Sequence, residues 1–280
     1  MTTPSASRRS ILITGCSSGI GLASAKVMKQ RGWRVLATAR TPDDLARLER
    51  DVGVEAIHLE LADRASIKAC AETALRLTDG RLYALFNNAA YGQPGAVEDL
   101  PTDALRHQLE VNVIGTHDLT RALIPAMRAQ KAGRIVQCSS VLGFIAAPYR
   151  GAYSASKFAL EGLSDALRIE LDGSGIRVSI IQPGPIRTRF VEHALAAAKR
   201  VIDIDNSVHR ATYQRMIASM AEGGRQTFKL EPEAVAAKLV DAVESANPRS
   251  RYPVTTPTHV AAALKRVLPD RALDWLAARN

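Results

Sequence analysis

The chain has 280 residues, 46% of them hydrophobic and 23% charged, with a formal net charge of +9 at pH 7. These proportions are typical of a globular protein with one substantial core, and no apolar run is long enough to span a membrane. No basic run exceeds two residues and no aromatic residues interleave with the basic ones. This disfavours a nucleic-acid surface and favours an interpretation in which the charge helps to recruit an anionic cofactor.

Residues 1–9 are polar, where a signal peptide would need an apolar stretch. We interpret them as a short disordered lead-in and expect a cytoplasmic protein. Short apolar, β-branched runs then alternate with longer helical patterns, which is typical of βαβ units in a parallel sheet of the α/β class. The predicted strands are residues 11–14, 35–39, 54–59, 82–86, 134–138, 176–181 and 251–254, and the predicted helices lie near residues 19–31, 42–51, 64–78, 102–130, 151–172 and 231–246.

The alternation of strand and helix patterns ends after residue 185. Residues 186–228 have a helical pattern with weak caps, and residues 256–280 form a basic, apolar helical extension that Pro269 is expected to break. No repeat, low-complexity tract or linker interrupts the chain, so one domain over residues 1–280 is the simplest account. We favour an interpretation in which this extension packs on the domain or on a partner subunit. The alternative is that it contacts a membrane surface.

Cysteines supply neither a metal site nor a disulfide framework. Cys16, Cys70 and Cys138 have no metal-ligand spacing and leave one unpaired in any disulfide scheme. We expect reduced thiols and no bound metal.

A glycine run follows the first predicted strand and opens the next helix. Gly15, Gly19 and Gly21 permit a tight turn in which backbone N–H groups approach a pyrophosphate, and the helix N-terminus adds positive potential. The spacing differs from the usual Gly-x-Gly-x-x-Gly, and a strand-to-helix turn in any α/β protein could hold such glycines. We predict a dinucleotide site that includes Gly15, Ser17, Ser18, Gly19, Ile20 and Gly21.

Arg40 follows the second predicted strand, where an acidic residue would accept hydrogen bonds from the adenosine ribose of NAD(H). The guanidinium of Arg40 can instead make charge-assisted contacts with a 2′-phosphate. We therefore hypothesise a preference for NADP(H) over NAD(H). The alternative is that Arg40 is an exposed loop cation.

Tyr153 and Lys157 lie one helical turn apart, with Ser140 and Asn112 upstream. A phenol titrates near pH ~10 and is a poor acid–base catalyst until its pKa is lowered. A neighbouring ammonium group favours the phenolate and can lower that pKa. Each residue alone could be an ordinary surface or strand-end residue; the combination with the glycine run favours a catalytic site.

Taken together, the motifs resemble those of the short-chain dehydrogenase/reductase family over about residues 9–190. The resemblance is to the branch of 17β-hydroxysteroid and retinol dehydrogenases, and within it to bacterial NADP-dependent aldehyde reductases. It implies a Rossmann-type doubly wound parallel sheet of about seven strands, with helices on both faces. The motifs are the glycine run, Asn87-Asn88-Ala89-Ala90, Asn112, Ser139-Ser140, Tyr153-x-x-x-Lys157 and Pro183-Gly184-x-x-x-Thr188.

The resemblance also implies roles for individual residues. Tyr153 would exchange a proton with the substrate oxygen, which Ser140 would also hydrogen-bond. Lys157 would lower the pKa of Tyr153 and bind the nicotinamide ribose, and Asn112 would hold a water in a proton relay. The implied cofactor-binding set is Gly15, Ser17, Ser18, Gly19, Ile20, Gly21, Arg40, Glu60, Leu61, Asn88, Ala89, Tyr153, Lys157, Pro183, Gly184, Ile186 and Thr188.

Two positions depart from the family pattern. Ala90 stands where the family usually has glycine, so the backbone there is expected to lie slightly away from the cofactor. Glu60 stands where the family commonly has an aspartate that contacts the adenine amino group, and its longer side chain makes that contact less secure. Asp63 is expected to cap the next helix.

Residues 186–228 are then expected to form a helical lid over the substrate. Leu142, Phe144, Tyr149 and Phe190 would line an apolar site, although part of this set could simply pack the lid onto the domain. Arg150, Arg187 and Arg189 lie near this set, so an anionic or polar substrate is an open alternative. The expected activity is NADP(H)-dependent hydride transfer to or from an apolar aldehyde, ketone or alcohol, in a homodimer or homotetramer. The alternatives are a non-catalytic dinucleotide sensor and an epimerase or dehydratase of the same superfamily.

Overall fold

Seven parallel strands form the centre of the computed structural model, which describes residues 9–221 and 227–278. The predicted lead-in up to residue 8, residues 222–226 of the predicted lid and residues 279–280 of the extension lie outside the described residues. The strands are β1 Ser10–Ile13, β2 Arg34–Ala39, β3 Glu55–His58, β4 Ala84–Asn87, β5 Gly133–Cys138, β6 Ile176–Gln182 and β7 Arg251–Pro253.

Helices follow most of the strands. They are α1 Gly19–Gln30, α2 Pro42–Arg47, α3 Arg64–Leu77, α4 Thr102–Leu109, α5 Thr116–Ala129, α6 Gly151–Glu170, α7 Phe190–Val201, α8 Arg210–Ala221, α9 Glu233–Glu244, α10 Thr256–Val267 and α11 Asp270–Ala277. Short 3₁₀ turns lie at Val97–Asp99 and Val141–Gly143.

The sheet order is β3-β2-β1-β4-β5-β6-β7, and every neighbouring pair is parallel. The chain builds outward from β1 to β3 and then crosses back to place β4 on the other side of β1. Connections therefore diverge between β1 and β4, which opens a crevice at the carboxyl ends of these two strands. This topology confirms the predicted doubly wound sheet.

Side chains of β1 alternate between two apolar cores, because successive residues of a strand point to opposite faces. Ile11 and Ile13 pack on the face covered by α1 and α9, whereas Leu12 packs on the face covered by α3 and α5. All three side chains are fully buried. Helices on both faces thus sandwich the sheet.

Several helices begin or end at residues that the sequence analysis identified as caps or breakers. The Thr41 side chain accepts a hydrogen bond from the Asp44 N–H and Pro42 opens α2, as predicted. Asp63 accepts from the Ala65 N–H at the start of α3. Pro269 separates α10 from α11, which confirms the predicted break.

The predicted helix over residues 102–130 is interrupted by a π-helical stretch, Glu110–Gly115, between α4 and α5. The wider turn carries Asn112 into the interior and brings Gly115 against the backbone at Leu61. A Cβ on Gly115 would lie 2.0 Å from the Leu61 carbonyl oxygen, so only glycine fits there. The sequence predicted one continuous helix here and did not identify this stretch.

Within the described residues, no helix combines the length and the apolar character needed to cross a bilayer. Cys16, Cys70 and Cys138 are free and buried, in agreement with the expected thiols. Burial raises the pKa of Cys16 and Cys70 to about 12, so both remain protonated near neutral pH.

Candidate active site

At the bottom of the crevice between β1 and β4, the glycine turn packs closely on the chain that follows β4. Gly15 and Gly19 have φ angles of +70° and +56°, a region that glycine adopts without strain. A Cβ on Gly21 would lie 2.2 Å from the Gly15 carbonyl oxygen, and one on Gly15 would lie 2.9 Å from the Cα of Ala89. The turn therefore requires glycine at these positions and leaves backbone N–H groups facing the crevice.

Thr14, which sequence reasoning did not include in the site, holds the two strand ends together. Its Oγ1 accepts hydrogen bonds from the Asn88 N–H at 2.9 Å and the Ala89 N–H at 2.8 Å. The Asn88 side chain returns a bond from Nδ2 to the Thr14 carbonyl oxygen at 2.9 Å. The threonine that precedes the first glycine of the run was the available sequence signal.

The start of α1 provides an anion site of the expected kind. Ser18 is the N-cap residue with an extended backbone, and its side chain makes no capping hydrogen bond. The first N–H groups of α1, on Ile20 and Gly21 among others, therefore have no side-chain cap. Arg47 steadies the turn before the helix by donating to the Ser17 carbonyl oxygen at 2.6 Å.

The chain after β6 forms the opposite wall of the same turn. Thr188 lies against Gly19, where an added Cβ would be 3.0 Å from the Thr188 methyl group. Ile186 pairs with Leu230 in an isolated bridge. The Pro183 carbonyl oxygen accepts from the Val141 N–H at 2.8 Å, and a Cβ on Gly184 would lie 2.1 Å from the Thr255 hydroxyl. Thr188 thus contacts the glycine turn, and the part that Pro183, Gly184 and Ile186 play in cofactor binding stays a prediction.

Arg40 and Glu60 meet at the far end of the crevice, after β2 and β3. The guanidinium of Arg40 is 3.8 Å from the Glu60 carboxylate, and 72% of the Arg40 side chain is exposed. Glu60 Oε1 also accepts from the Ala62 N–H at 3.2 Å. Leu61 is buried beside them. The two predicted adenosine-binding side chains are therefore neighbours, with Arg40 only loosely held.

Asn112 is buried and its amide group makes three hydrogen bonds. Nδ2 donates to the Tyr91 carbonyl oxygen at 3.0 Å and to the Ser156 hydroxyl at 3.1 Å, and Oδ1 accepts from the Tyr91 N–H at 3.2 Å. The side chain therefore joins the π-helical stretch to α6 and to the loop after β4. Its role in a water relay stays a prediction.

Ser140, Tyr153 and Lys157 converge at the carboxyl end of β5, as the sequence predicts. The Ser140 side chain accepts from the Leu142 N–H at 3.1 Å and lies close enough to Tyr153 to lower the pKa of that phenol. Lys157 is buried; its Nζ lies 5.6 Å from the centre of the Tyr153 ring and donates to the Cys138 carbonyl oxygen at 2.7 Å.

Burial raises the pKa of Tyr153 above the ordinary value of a phenol, and the nearby Ser140 hydroxyl and the positive charge of Arg150 offset this only in part. The Lys157 ammonium group donates to the Cys138 carbonyl oxygen. The predicted lowering of the Tyr153 pKa by Lys157 stays a prediction.

Lys157 is itself influenced by a residue that sequence reasoning missed. Burial lowers the pKa of Lys157, and nearby negative charge, including that of Glu161, opposes the shift. Glu161 is buried one turn further along α6, where it accepts from Gln182 at 2.9 Å and from Arg251 at 3.1 Å. Its position four residues after Lys157 was a usable signal.

Phe190 closes one side of the cleft above Tyr153. The two ring centres are 5.3 Å apart, and a Cβ on Gly92 would lie 2.7 Å from the Phe190 ring. Leu142 lies in the 3₁₀ turn after Ser140, and Phe144 follows that turn. Phe190 therefore contacts the Tyr153 ring, Leu142 and Phe144 follow Ser140 closely in the chain, and a role of these three residues in substrate binding stays a prediction.

Tyr149, the fourth, contacts the lid. Its hydroxyl is 3.1 Å from His209 Nδ1, and its ring meets the ring of Tyr213 edge to face. The Tyr213 hydroxyl donates to Asp99 at 2.8 Å, and His209 Nε2 is 2.6 Å from the Glu98 carboxylate. These contacts tie the segment with α8 to the Val97–Asp99 turn, an attachment that no sequence motif indicated.

A nicotinamide dinucleotide fits these residues. The glycine turn packs so closely on Ala89, Thr188 and Asn88 that it requires glycine, and the start of α1, which has no side-chain cap, can supply N–H donors to a pyrophosphate. A group of side chains able to bind a metal ion was not found among residues 9–221 and 227–278.

Comparison with known proteins decides the family. The family model described as short chain dehydrogenase matches residues 9–199. The chain belongs to the short-chain dehydrogenase/reductase family. Members of this family bind nicotinamide dinucleotides and act on CH–OH or C=O groups, so the chain is an oxidoreductase of this type.

Individual relatives agree with this assignment. The "Uncharacterized oxidoreductase YbbO" of Escherichia coli (strain K12) is 43% identical over 267 residues, which cover 95% of this chain and 93% of that protein. Human 17-beta-hydroxysteroid dehydrogenase type 1 is 35% identical over 259 residues, covering 88% and 77%. A solved short-chain dehydrogenase from Streptomyces avermitilis has a TM-score of 0.80 at 30% identity and covers 96% and 95%. The predicted family and its hydroxysteroid-dehydrogenase likeness are confirmed.

Replacing Gly21 by alanine should weaken dinucleotide binding. The added methyl group would meet the Gly15 carbonyl oxygen and the Asn88 amide, so the turn that faces the pyrophosphate must open. We expect at least about a tenfold increase in the Kd for NADPH, the effect of losing one or more charge-assisted hydrogen bonds. Fluorescence titration measures this, with Gly162→Ala on α6 as the matched control because its Cβ meets no atom within 4 Å. Equal affinities of the two variants would contradict the prediction.

Proposed function

We propose that this protein is an NADP(H)-dependent carbonyl reductase that transfers a hydride between nicotinamide and an apolar aldehyde or ketone. The observation that carries the proposal is the grouping of Tyr153, Ser140 and the buried Lys157 at the end of β5, with the ring of Phe190 against that of Tyr153. A phenol with a second hydroxyl nearby suits a carbonyl oxygen that gains a proton.

The bound cofactor would supply the hydride. Tyr153 would donate its proton to the substrate oxygen, and Ser140 would hydrogen-bond that oxygen as its negative charge develops. Lys157, held by the Cys138 carbonyl oxygen, would place a positive charge beside the phenol and take up the ribose hydroxyls. Asn112 would fix α6 relative to the loop after β4 through Ser156.

Burial raises the pKa of Tyr153, so its hydroxyl is protonated at neutral pH and can act as the acid in reduction. In the reverse reaction the same residue would accept the proton from the alcohol.

The preference for NADP(H) is proposed from Arg40. Its guanidinium is largely exposed, and the Glu60 carboxylate, at 3.8 Å, is too far away for a short ion pair. Arg40 can therefore turn toward a 2′-phosphate beside the ribose without losing a strong partner.

Assembly into a homodimer or homotetramer is proposed from apolar side chains that remain exposed on α6 and on the π-helical stretch. These are Ile114, Phe158, Leu163 and Ile169. Association would cover them. In the C-terminal extension, Val267 and Trp275 are also exposed, and packing on a partner subunit remains the favoured interpretation over membrane contact. A cytoplasmic location and a single domain over the whole chain stay predictions.

Replacing Tyr153 by phenylalanine tests the reaction. The variant keeps the ring beside Phe190 but loses the acidic proton, so we expect kcat with NADPH and neutral aldehydes to fall by about 10²–10⁴-fold. Consumption of NADPH at 340 nm measures turnover, and dinucleotide affinity is the control because the ring is retained. Wild-type binding of NADPH with no turnover of any carbonyl would contradict the proposal and favour a dinucleotide sensor. Inversion or loss of water without net NADPH consumption would favour an epimerase or dehydratase.

Replacing Arg40 by alanine tests the cofactor preference. Loss of a charge-assisted contact to the 2′-phosphate should raise the KM for NADPH by about tenfold or more and leave the KM for NADH nearly unchanged. Arg106→Ala is the matched control, because Arg106 is an exposed arginine paired with Asp103 on α4. Comparable KM values for NADPH and NADH in the wild type would refute the preference.

Replacing Glu161 by glutamine tests the charge on Lys157. The carboxylate opposes the burial that lowers the pKa of Lys157. Without it the pKa falls further, and Lys157 loses its proton at a lower pH. If the ammonium form is the active one, the alkaline decline of kcat moves to lower pH in the variant.

Asp165→Asn is the matched control for that pH profile. Asp165 also accepts from Arg251, at 2.5 Å, but it does not act on Lys157. The alkaline decline of kcat in Asp165→Asn should coincide with that of the wild type. Identical profiles for all three proteins would show that the charge of Lys157 does not depend on Glu161.

A further inference from the structure

Arg150 lies immediately before α6, three residues ahead of Tyr153. Its backbone is fixed on both sides. It forms a parallel bridge with Gly95, and its carbonyl oxygen accepts from the Ser154 N–H at 2.8 Å. The position of Arg150 is thus set by two elements that also border the cleft.

The residue before Arg150 is held in an unfavourable backbone conformation. Tyr149 has a φ angle of +60°, which residues with a Cβ rarely adopt. The contacts of its side chain with His209 and Tyr213 compensate for this. Consequently the Tyr149 side chain points to the lid, while Arg150 continues into α6 beside Tyr153.

The guanidinium of Arg150 is mostly buried and lacks an anionic partner. Across residues 9–221 and 227–278 it makes no ion pair and no side-chain hydrogen bond, and the one charged-group interaction it has is with Tyr153. Burial lowers the pKa of Arg150. Arg251, beside the same helix, illustrates the usual arrangement, because two carboxylates, Glu161 and Asp165, neutralise it.

A buried cation without an anion is unfavourable unless a ligand supplies one. A guanidinium presents parallel N–H donors that match the two oxygens of a carboxylate. The pyrophosphate of the cofactor does not meet this need, because its cradle lies at Gly15–Gly21, at the start of α1, and not beside Tyr153.

Arg200, an exposed cation on α7, lies near the loop after β4. Its positive charge opposes the burial that raises the pKa of Tyr91. Tyr91 precedes Gly92, the residue against which Phe190 packs.

We propose that Arg150 binds a carboxylate of the substrate, so that the preferred substrates are oxo acids with an apolar body, an aldehyde or ketone group and a carboxylate. The proposal rests on the proposed carbonyl reduction at Tyr153. It narrows the substrate class, because a neutral carbonyl compound leaves Arg150 without a partner.

The test compares the ortho, meta and para formylbenzoates with their methyl esters, which keep the ring and the aldehyde but carry no charge. For at least one isomer, kcat/KM of the wild type should be at least about tenfold higher for the acid than for the ester, the usual effect of a hydrogen-bonded charge pair. In Arg150→Gln this ratio should fall to about one, and in Arg150→Lys part of it should return. Arg215→Gln, an exposed lid arginine bonded to Thr212, should keep the wild-type ratio.

Two outcomes would overturn the proposal. The first is an acid-to-ester ratio near one in the wild type for every isomer. The second is a fall in Arg150→Gln that is equal for acids and esters, which would mean that Arg150 acts only by adjusting Tyr153. Thermal unfolding of each variant verifies that it folds.

Binding of benzoate separates this proposal from the reaction itself. Calorimetric titration of the protein with NADP⁺ present should show benzoate binding that weakens at least about tenfold in Arg150→Gln, with no such change for benzamide. Benzoate affinity that is equal in both proteins refutes the carboxylate site even if aldehydes are reduced. Conversely, if no carbonyl compound is turned over, the proposed reaction fails, while Arg150-dependent benzoate binding still upholds the carboxylate site.

Discussion

The close approach of the ends of β1 and β4 is the constraint on which the site depends. Thr14 accepts the N–H groups of Asn88 and Ala89, and this fixes the two strand ends at hydrogen-bonding distance. So little space remains that Gly15 and Gly21 cannot carry a side chain. Because the order of the sheet reverses at this point, the chain leaves on opposite sides and a crevice opens above the strands. The start of α1 and the turn around Thr188 then line a crevice whose width the backbone sets.

A second organising element is the strip of ionisable side chains along α6. Tyr153, Lys157, Glu161 and Asp165 recur every four residues, so they lie on one face of a rigid helix. The strip leads from the cleft to Arg251 on β7, which pairs with both carboxylates. Lys157 and Glu161 are buried, where water screens their interaction weakly. The pKa of Lys157 therefore depends on Glu161.

The lid depends on contacts of another kind. Asp99 receives hydrogen bonds from Ser207 and Tyr213, and Tyr149 adopts a strained conformation that joins the same cluster. These contacts link three segments far apart in the chain. Separately, the Phe190 ring packs against that of Tyr153. The proposed substrate cleft lies between these two groups of contacts.

Sequence by itself determined the features that local patterns encode. The alternation of strands and helices, the glycine run, the caps Thr41 and Asp63 and the spacing of Tyr153 and Lys157 were all readable, because each depends on residues close together in the chain. Together they were enough for the parallel sheet and the family. The tertiary structure alone decided the π-helical stretch that turns Asn112 inward, the direction in which the pKa of Tyr153 shifts, the Glu161–Arg251 contact and the missing partner of Arg150. Each of these is set by burial or by a partner distant in sequence, and neither composition nor periodicity reports which distant residues meet.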